Sequence, residues 1–184
     1  MHHVKPDKRS QKSARLVCAG LLECLKDKPF DKVTITDIQR ASSVGRPTFY
    51  RLFDNIDDVL SYLIDSLFEK TTAYDQREKP ASAQSVFLYF IQAMMDNSAL
   101  LQIAIDSGRT RLISDSYGRF ASDITHRFES VGGSMSDTER FYFSYTAAPI
   151  VVAFIEAWIV RGKRESASEL MQLVKRTSRI LSSM

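Results

Sequence analysis

The chain has 184 residues, of which 44% are apolar and 26% charged, with only seven Gly and five Pro. This is ordinary globular composition, and it excludes wholesale disorder, a fibrous or loop-rich chain, and dependence on disulfide or metal staples. The net charge of +3 is uneven: residues 1–53 hold eleven Lys/Arg against five Asp/Glu, and the remainder holds 14 against 17. A polyanion-binding end on a mildly acidic body has this distribution.

The segment Met1 to Asp7 has no apolar stretch, so no secretory leader is expected. The longest apolar run, Ala147–Ile155, ends at Glu156, well short of the ~20 residues of a membrane span. Cys18 and Cys24 do not share a helix face at adjacent turns, which argues against a bridge. Free thiols in the cytoplasm, and no membrane association, are the expectation.

Helical periodicity dominates and predicts an all-α chain of about nine helices. The first helix spans about Lys8 to Lys26, with Ala14, Val17, Cys18, Leu21, Leu22 and Leu25 on its inner face. Its basic residues Lys8, Arg9, Lys12 and Arg15 crowd the first turns, the unfavourable end of the helix dipole unless an external anion is present. Pro29-Phe30 breaks the pattern. Thr34-Ile35-Thr36-Asp37 reads as a capping box opening a short helix that Ser42-Ser43 ends. A second short helix follows from about Gly45 to Leu52, and Asn55 with Asp58 caps a third, running to about Glu69. The polar stretch Thr71–Ser82, with Pro80, reads as a loop. Beyond it lie helices at about 83–97, 99–105, 111–131, 136–160 and from Ser166 onward; Ser136/Glu139 and Ser166/Glu169 form capping boxes. The helix at 136–160 is apolar nearly all round, which predicts burial on all sides, one face inside the subunit and another against a partner, and Pro149 interrupts it.

Two short capped helices joined by a tight turn form a helix-turn-helix pattern, with the preceding helix as a third wall. The second helix of such a unit must offer small or polar hydrogen-bonding residues at its N-terminus to reach a major groove. Gly45, Arg46, Pro47 and Thr48 meet this requirement. Pro47 suits a first helical turn, where its missing N–H is no loss. Arg46 can reach guanine O6 and N7, while Tyr50 and Arg51 can reach phosphates.

Val44-Gly45-Arg46-Pro47-Thr48-Phe49-Tyr50-Arg51-Leu52-Phe53, followed by Asn55-Ile56-Asp57-Asp58-Val59-Leu60, resembles the TetR/AcrR family of bacterial transcriptional regulators. Phe30-Asp31-Lys32-Val33-Thr34 and Asp37-Ile38 match as well, so the resemblance covers about residues 8–64. It implies a homodimer that binds double-stranded DNA at a near-palindromic operator, as a repressor released by a small apolar or amphipathic effector. It divides the chain into a DNA-binding domain at 1–54 and an effector-binding and dimerisation domain at 55–184. It also places Thr34 and Thr36 at the DNA backbone or an edge base. Three positions depart from the pattern. Ser43 stands where the turn commonly has Gly, Leu52 where a polar residue is common, and Ile56 where the usual phosphate-binding Lys would be.

For the body, the resemblance implies a pocket, with Met94, Met95, Phe120, Tyr142 and Tyr145 as candidate lining. It also implies a dimer built on the last two helices, with Val151, Phe154, Trp158, Leu170, Leu173, Val174, Thr177 and Ile180 as candidates. No metal site, cofactor or catalytic activity is expected: His2, His3 and His126 have no ligand spacing, and no phosphate-binding loop or dinucleotide motif is present. The alternative is a TetR-like co-regulator that acts through protein–protein contacts without strong operator binding.

Overall fold

Polar side chains placed to take up the free N–H groups at helix starts set most of the element boundaries. A computed structural model describes residues 2–75 and 82–183. Among them are nine α-helices and no strand: α1 Lys8–Cys24, α2 Ile35–Ser42, α3 Arg46–Leu52, α4 Ile56–Asp75, α5 Ala83–Asp96, α6 Ser98–Asp106, α7 Thr110–Gly132, α8 Asp137–Val160 and α9 Ala167–Ser182. A single 3-10 turn, Phe30–Lys32, enters α2. Asp7 caps α1 by accepting from the Ser10 N–H at 2.8 Å. Capping boxes open α2 (Thr34, Asp37), α8 (Ser136, Glu139) and α9 (Ser166, Glu169), as the sequence predicts, and a further one opens α5 (Ser82, Ser85).

The three N-terminal helices close on one another over Val17, Leu21, Ile38, Phe49, Leu52 and Phe53, all fully buried. This cluster is continuous with the core of the body, from Ala14 in α1 to Met171 in α9. Helix α4 leads out of the helix-turn-helix and packs along α7; α7 in turn packs on α8, and α9 lies on α5. Helices α1 and α2 cross at Gly20, where a Cβ would stand 2.8 Å from the Ser42 Cβ and 2.9 Å from the Ile38 carbonyl oxygen. Gly20→Val is therefore expected to cost about 1–3 kcal/mol through overpacking against backbone, read as a lower urea midpoint at unchanged slope.

One expectation needs correction. The polar residues from Thr71 continue α4 instead of forming a loop, because the buried Thr71 and Thr72 hydroxyls donate back to the Leu67 and Phe68 carbonyls at 2.8 and 3.0 Å. Residues 76–81 of that stretch lie outside the described part. Helix α8 is apolar all round, and its own subunit covers only part of it. Val152, Ile155, Trp158 and Ile159 face the core, while Phe141, Tyr142, Tyr145, Ile150 and Val160 are exposed. By length and apolar composition alone α8 would pass as a membrane span; its inner face belongs to the helical core instead.

Candidate nucleic-acid interface

The turn between α2 and α3 is made by Ser43, whose backbone is left-handed at φ 55° and ψ 22°. This is the position where glycine is common, and a side chain there carries a modest conformational cost. The buried Ser42 hydroxyl accepts from the Val44 N–H at 3.2 Å and fixes the turn. Val44 is buried, so the chain emerges at Gly45 already pointed outward.

Gly45 caps α3 at an ordinary φ of −66°. A Cβ built on it would meet nothing closer than the Pro47 Cδ at 3.9 Å. Neither the backbone nor the packing of the subunit requires glycine here. A bare backbone at this corner is of use to a molecule approaching from outside. Arg46, Pro47, Tyr50 and Arg51 are exposed beside it and Thr48 is half-buried, so the residues singled out on this helix share one accessible corner. The Arg46 guanidinium rests 5.4 Å from the centre of the Tyr50 ring, and its Nη2 donates to the Tyr50 hydroxyl at 3.3 Å. An exposed contact of this kind holds the side chain by only about 0.5–1 kcal/mol, so reaching outward costs little.

Thr34 and Thr36 are exposed at the start of α2. The Thr34 hydroxyl is committed to the cap: it donates to Asp37 at 2.7 Å and accepts from the Asp37 N–H at 3.1 Å. Lys28 pairs with Asp37 at 2.8 Å. The hydrogen bonds from Lys28 and Thr34 hold the Asp37 carboxyl well below the usual carboxylate range. Leu52 is fully buried and Ile56 packs partly against the core. Both departures from the family pattern thus serve packing. The two acids after Ile56 are turned to structural use. Asp57 accepts from Arg109, and the Asp58 carboxylate accepts from the Asp54 N–H at 3.0 Å. The N-terminal arm lies across the end of α3, where the His3 N–H donates to the Leu52 carbonyl at 2.8 Å.

Helix α4 is tied to the body by polar side chains of α7. At Asp65 one carboxylate gathers the Ser116 hydroxyl at 2.5 Å, the Arg119 guanidinium at 2.6 Å and the His2 Nε2 at 2.9 Å. Burial alone pushes the Asp65 carboxyl up, but the hydrogen bonds from His2, Ser116 and Arg119 outweigh it and hold the group below its ordinary range. A carboxyl depressed in the folded state adds stability above its unfolded pKa of about 3.9, and that contribution disappears as pH falls through the folded value. The stability difference between the wild type and Asp65→Asn should therefore be constant near neutrality and shrink below about pH 4. Urea titrations across that range check this.

None of the five predicted pocket residues lines the apolar cavity between α5, α7, α8 and α9, although Met94 lines a smaller void beside Phe68 and Phe120 lines a groove between α4 and α7. The apolar cavity, about 230 Å³, is lined by Phe87, Phe90, Tyr117, Phe128, Phe143 and Val151 among others. Met94 is core, Met95 packs against it, and Phe120 stacks on Phe68. Tyr142 and Tyr145 are exposed at 63% and 76%. Burial pushes the Tyr117 hydroxyl up to about 12, so it lies in the cavity wall as a neutral phenol. Of the predicted interface residues, Trp158, Leu170 and Val174 are buried inside the subunit, where the Trp158 indole N–H donates to the Glu165 carbonyl at 2.8 Å. Val151 lines the cavity and Phe154 packs against the core. Leu173, Thr177 and Ile180 are exposed on α9.

An all-α chain whose N-terminal helices present an open helix-turn-helix corner belongs to the DNA-binding transcriptional regulators. Residues 19–63 match the family described as bacterial regulatory proteins, tetR family. The fold as a whole is similar to the solved structure named dihydroxyacetone kinase operon activator DhaS. The two share 17% identity and a TM-score of 0.58, over 93% of this chain and 94% of that one. No curated protein matches the sequence.

Proposed function

We propose that the protein is a cytoplasmic repressor that binds a near-palindromic operator as a homodimer and is released by a small uncharged effector. Residues 1–54 act as the DNA-binding domain and 55–184 as the effector-binding and dimerisation domain. The observation that carries the reading is Gly45, a glycine that the subunit's own backbone and packing do not need, at the tip of an exposed corner. Arg46 reads a base edge from this corner, with Pro47 and Thr48 against the groove. Tyr50, Arg51, Thr34 and Thr36 contact the backbone and fix register. Two copies must then sit about 34–36 Å apart to enter successive major grooves.

The unpaired apolar surface on α8 and α9 supports the dimer. Tyr142, Tyr145, Ile150, Leu173 and Ile180 are all more than a third exposed, a grouping that a lone soluble subunit seldom leaves bare. The body cavity supports an effector. No charged side chain is among its lining residues, so a charged ligand would be buried there without a counter-ion, and neutral aromatic or apolar molecules fit. An effector that binds better to a shifted body moves α4, and with it the spacing of the two corners.

Sedimentation of the full chain tests the dimer. The wild type should sediment as a dimer, and Ile150→Glu with Ile180→Glu as a folded monomer. The monomer should bind the operator about 10²–10⁴-fold more weakly because the second half-site is no longer tethered. A wild type that sediments as a monomer, free and on DNA, overturns the reading. The burial of Leu52 and Ile56 removes two places for phosphate contacts and favours a second reading, a co-regulator that works through protein contacts.

A further inference from the structure

We infer that Arg109 is a positioning residue for operator recognition: it sets the angle at which the helix-turn-helix is held on the body. The inference rests on the dimeric operator reading above. Arg109 occupies the corner between α6 and α7, just after Gly108, which turns the chain at φ 70°. Its backbone N–H donates to the Ala104 carbonyl, and its Nη1 donates to the Ser107 carbonyl at 2.7 Å, so the side chain is rooted in its own corner. From there it reaches two other elements. Its Nη1 donates to Asp31 at 2.8 Å and its Nε to Asp57 at 2.7 Å. Its guanidinium lies 4.4 Å from the centre of the Phe30 ring.

Phe30 and Asp31 form the turn that enters α2 of the helix-turn-helix, and Asp57 lies in the first turn of α4. One planar cation thus joins the DNA-binding unit, the helix that leaves it, and the body. A guanidinium suits this role because its fork can serve two carboxylates while its face stacks on a ring; an ammonium cannot do all three in one geometry. The Asp65 cluster ties α4 to α7 farther along but does not touch the helix-turn-helix entry turn. Helix α7 starts one residue after Arg109 and carries Tyr117 and Phe128 into the wall of the body cavity. A displacement of α7 would be felt at Phe30 and Asp31 through this side chain.

A residue that only adds stability would weaken all complexes alike, whereas a positioning residue governs selectivity for the distance between half-sites. The test measures full-length protein on the duplex returned by selection, on the same duplex with one or two central base pairs added or removed, and on a single half-site. The wild type should prefer the native spacing sharply. Arg109→Ala should lose about tenfold of that preference with single half-site affinity unchanged. Arg109→Lys should restore it only in part. Asp31→Asn and Asp57→Asn should each reduce the preference, and neither should add fully to Arg109→Ala. They also serve as second variants if Arg109→Ala folds poorly. A sharp wild-type preference that persists in Arg109→Ala or in both aspartate variants overturns the inference alone. A wild type indifferent to spacing overturns the dimeric reading and the inference with it.

Discussion

Arg46→Ala is expected to lower operator affinity by about 1–3 kcal/mol per half-site. Two subunits read one duplex at well-separated sites, so the losses add, and the full operator should lose about 2–6 kcal/mol. The reason is geometric. Arg46 is the first residue of α3, directly after a glycine with no side chain to hold a groove wall away. Inside the subunit it touches Tyr50, itself exposed. Removing it should therefore shift the melting temperature by no more than an exposed contact of about 0.5–1 kcal/mol allows. Affinity and folding separate cleanly at this position. Binding measured over a panel of duplexes should show lost preference at one position per half-site. Arg46→Lys should keep part of the affinity and lose the preference, since an ammonium lacks the two-pronged match to guanine. Unchanged affinity and preference in Arg46→Ala would remove its groove-reading role.

Phe49→Ala, three residues on, should act by the opposite route. Phe49 is fully buried, and its ring meets Phe53 at 5.9 Å between centres; Phe53 in turn packs on Tyr62 of α4 at 5.8 Å. Loss of a ring from such a site typically costs about 3–5 kcal/mol, a large part of the ~5–15 kcal/mol that holds a typical domain together. Urea denaturation should show the fall directly, and DNA binding should fail with it at temperatures where the wild type still binds. Phe49→Leu should cost much less, about 1.5 kcal/mol or below if the neighbours repack. If Phe49→Ala keeps the wild-type midpoint, the ring is not the keystone between α3 and α4.

The helix-turn-helix was legible from the sequence because its signals are local. Thr34 and Asp37 form a box within four residues, Ser42-Ser43 ends the helix it opens, and Pro47 suits a first helical turn. The body was legible only as a succession of helices. An aromatic at helical spacing has the same signature whether it fills a core, lines a cavity or faces out. Thus Tyr142 and Tyr145 read like pocket residues yet are exposed, whereas Phe87, Tyr117 and Phe128 line an apolar cavity of the body. A helix apolar on every side, such as α8, does not say which side its own subunit covers. The tie of Arg109 to Asp31 and Asp57 joins residues 78 and 52 positions apart, and nothing in the local pattern of any of the three foretells it. Thr71 and Thr72 misled in another way: they are loop-like by composition, yet their hydroxyls turn back onto α4.

The central claim is that two identical subunits hold two Gly45–Thr48 corners at a fixed pitch. Selection of full-length protein against randomised duplex DNA tests it most directly. An enriched inverted repeat is expected, with half-site centres about one helical turn, ~34–36 Å, apart and occupied by two chains per duplex. A pool with no enriched sequence, or one that yields only an isolated half-site bound by a single chain, would contradict it.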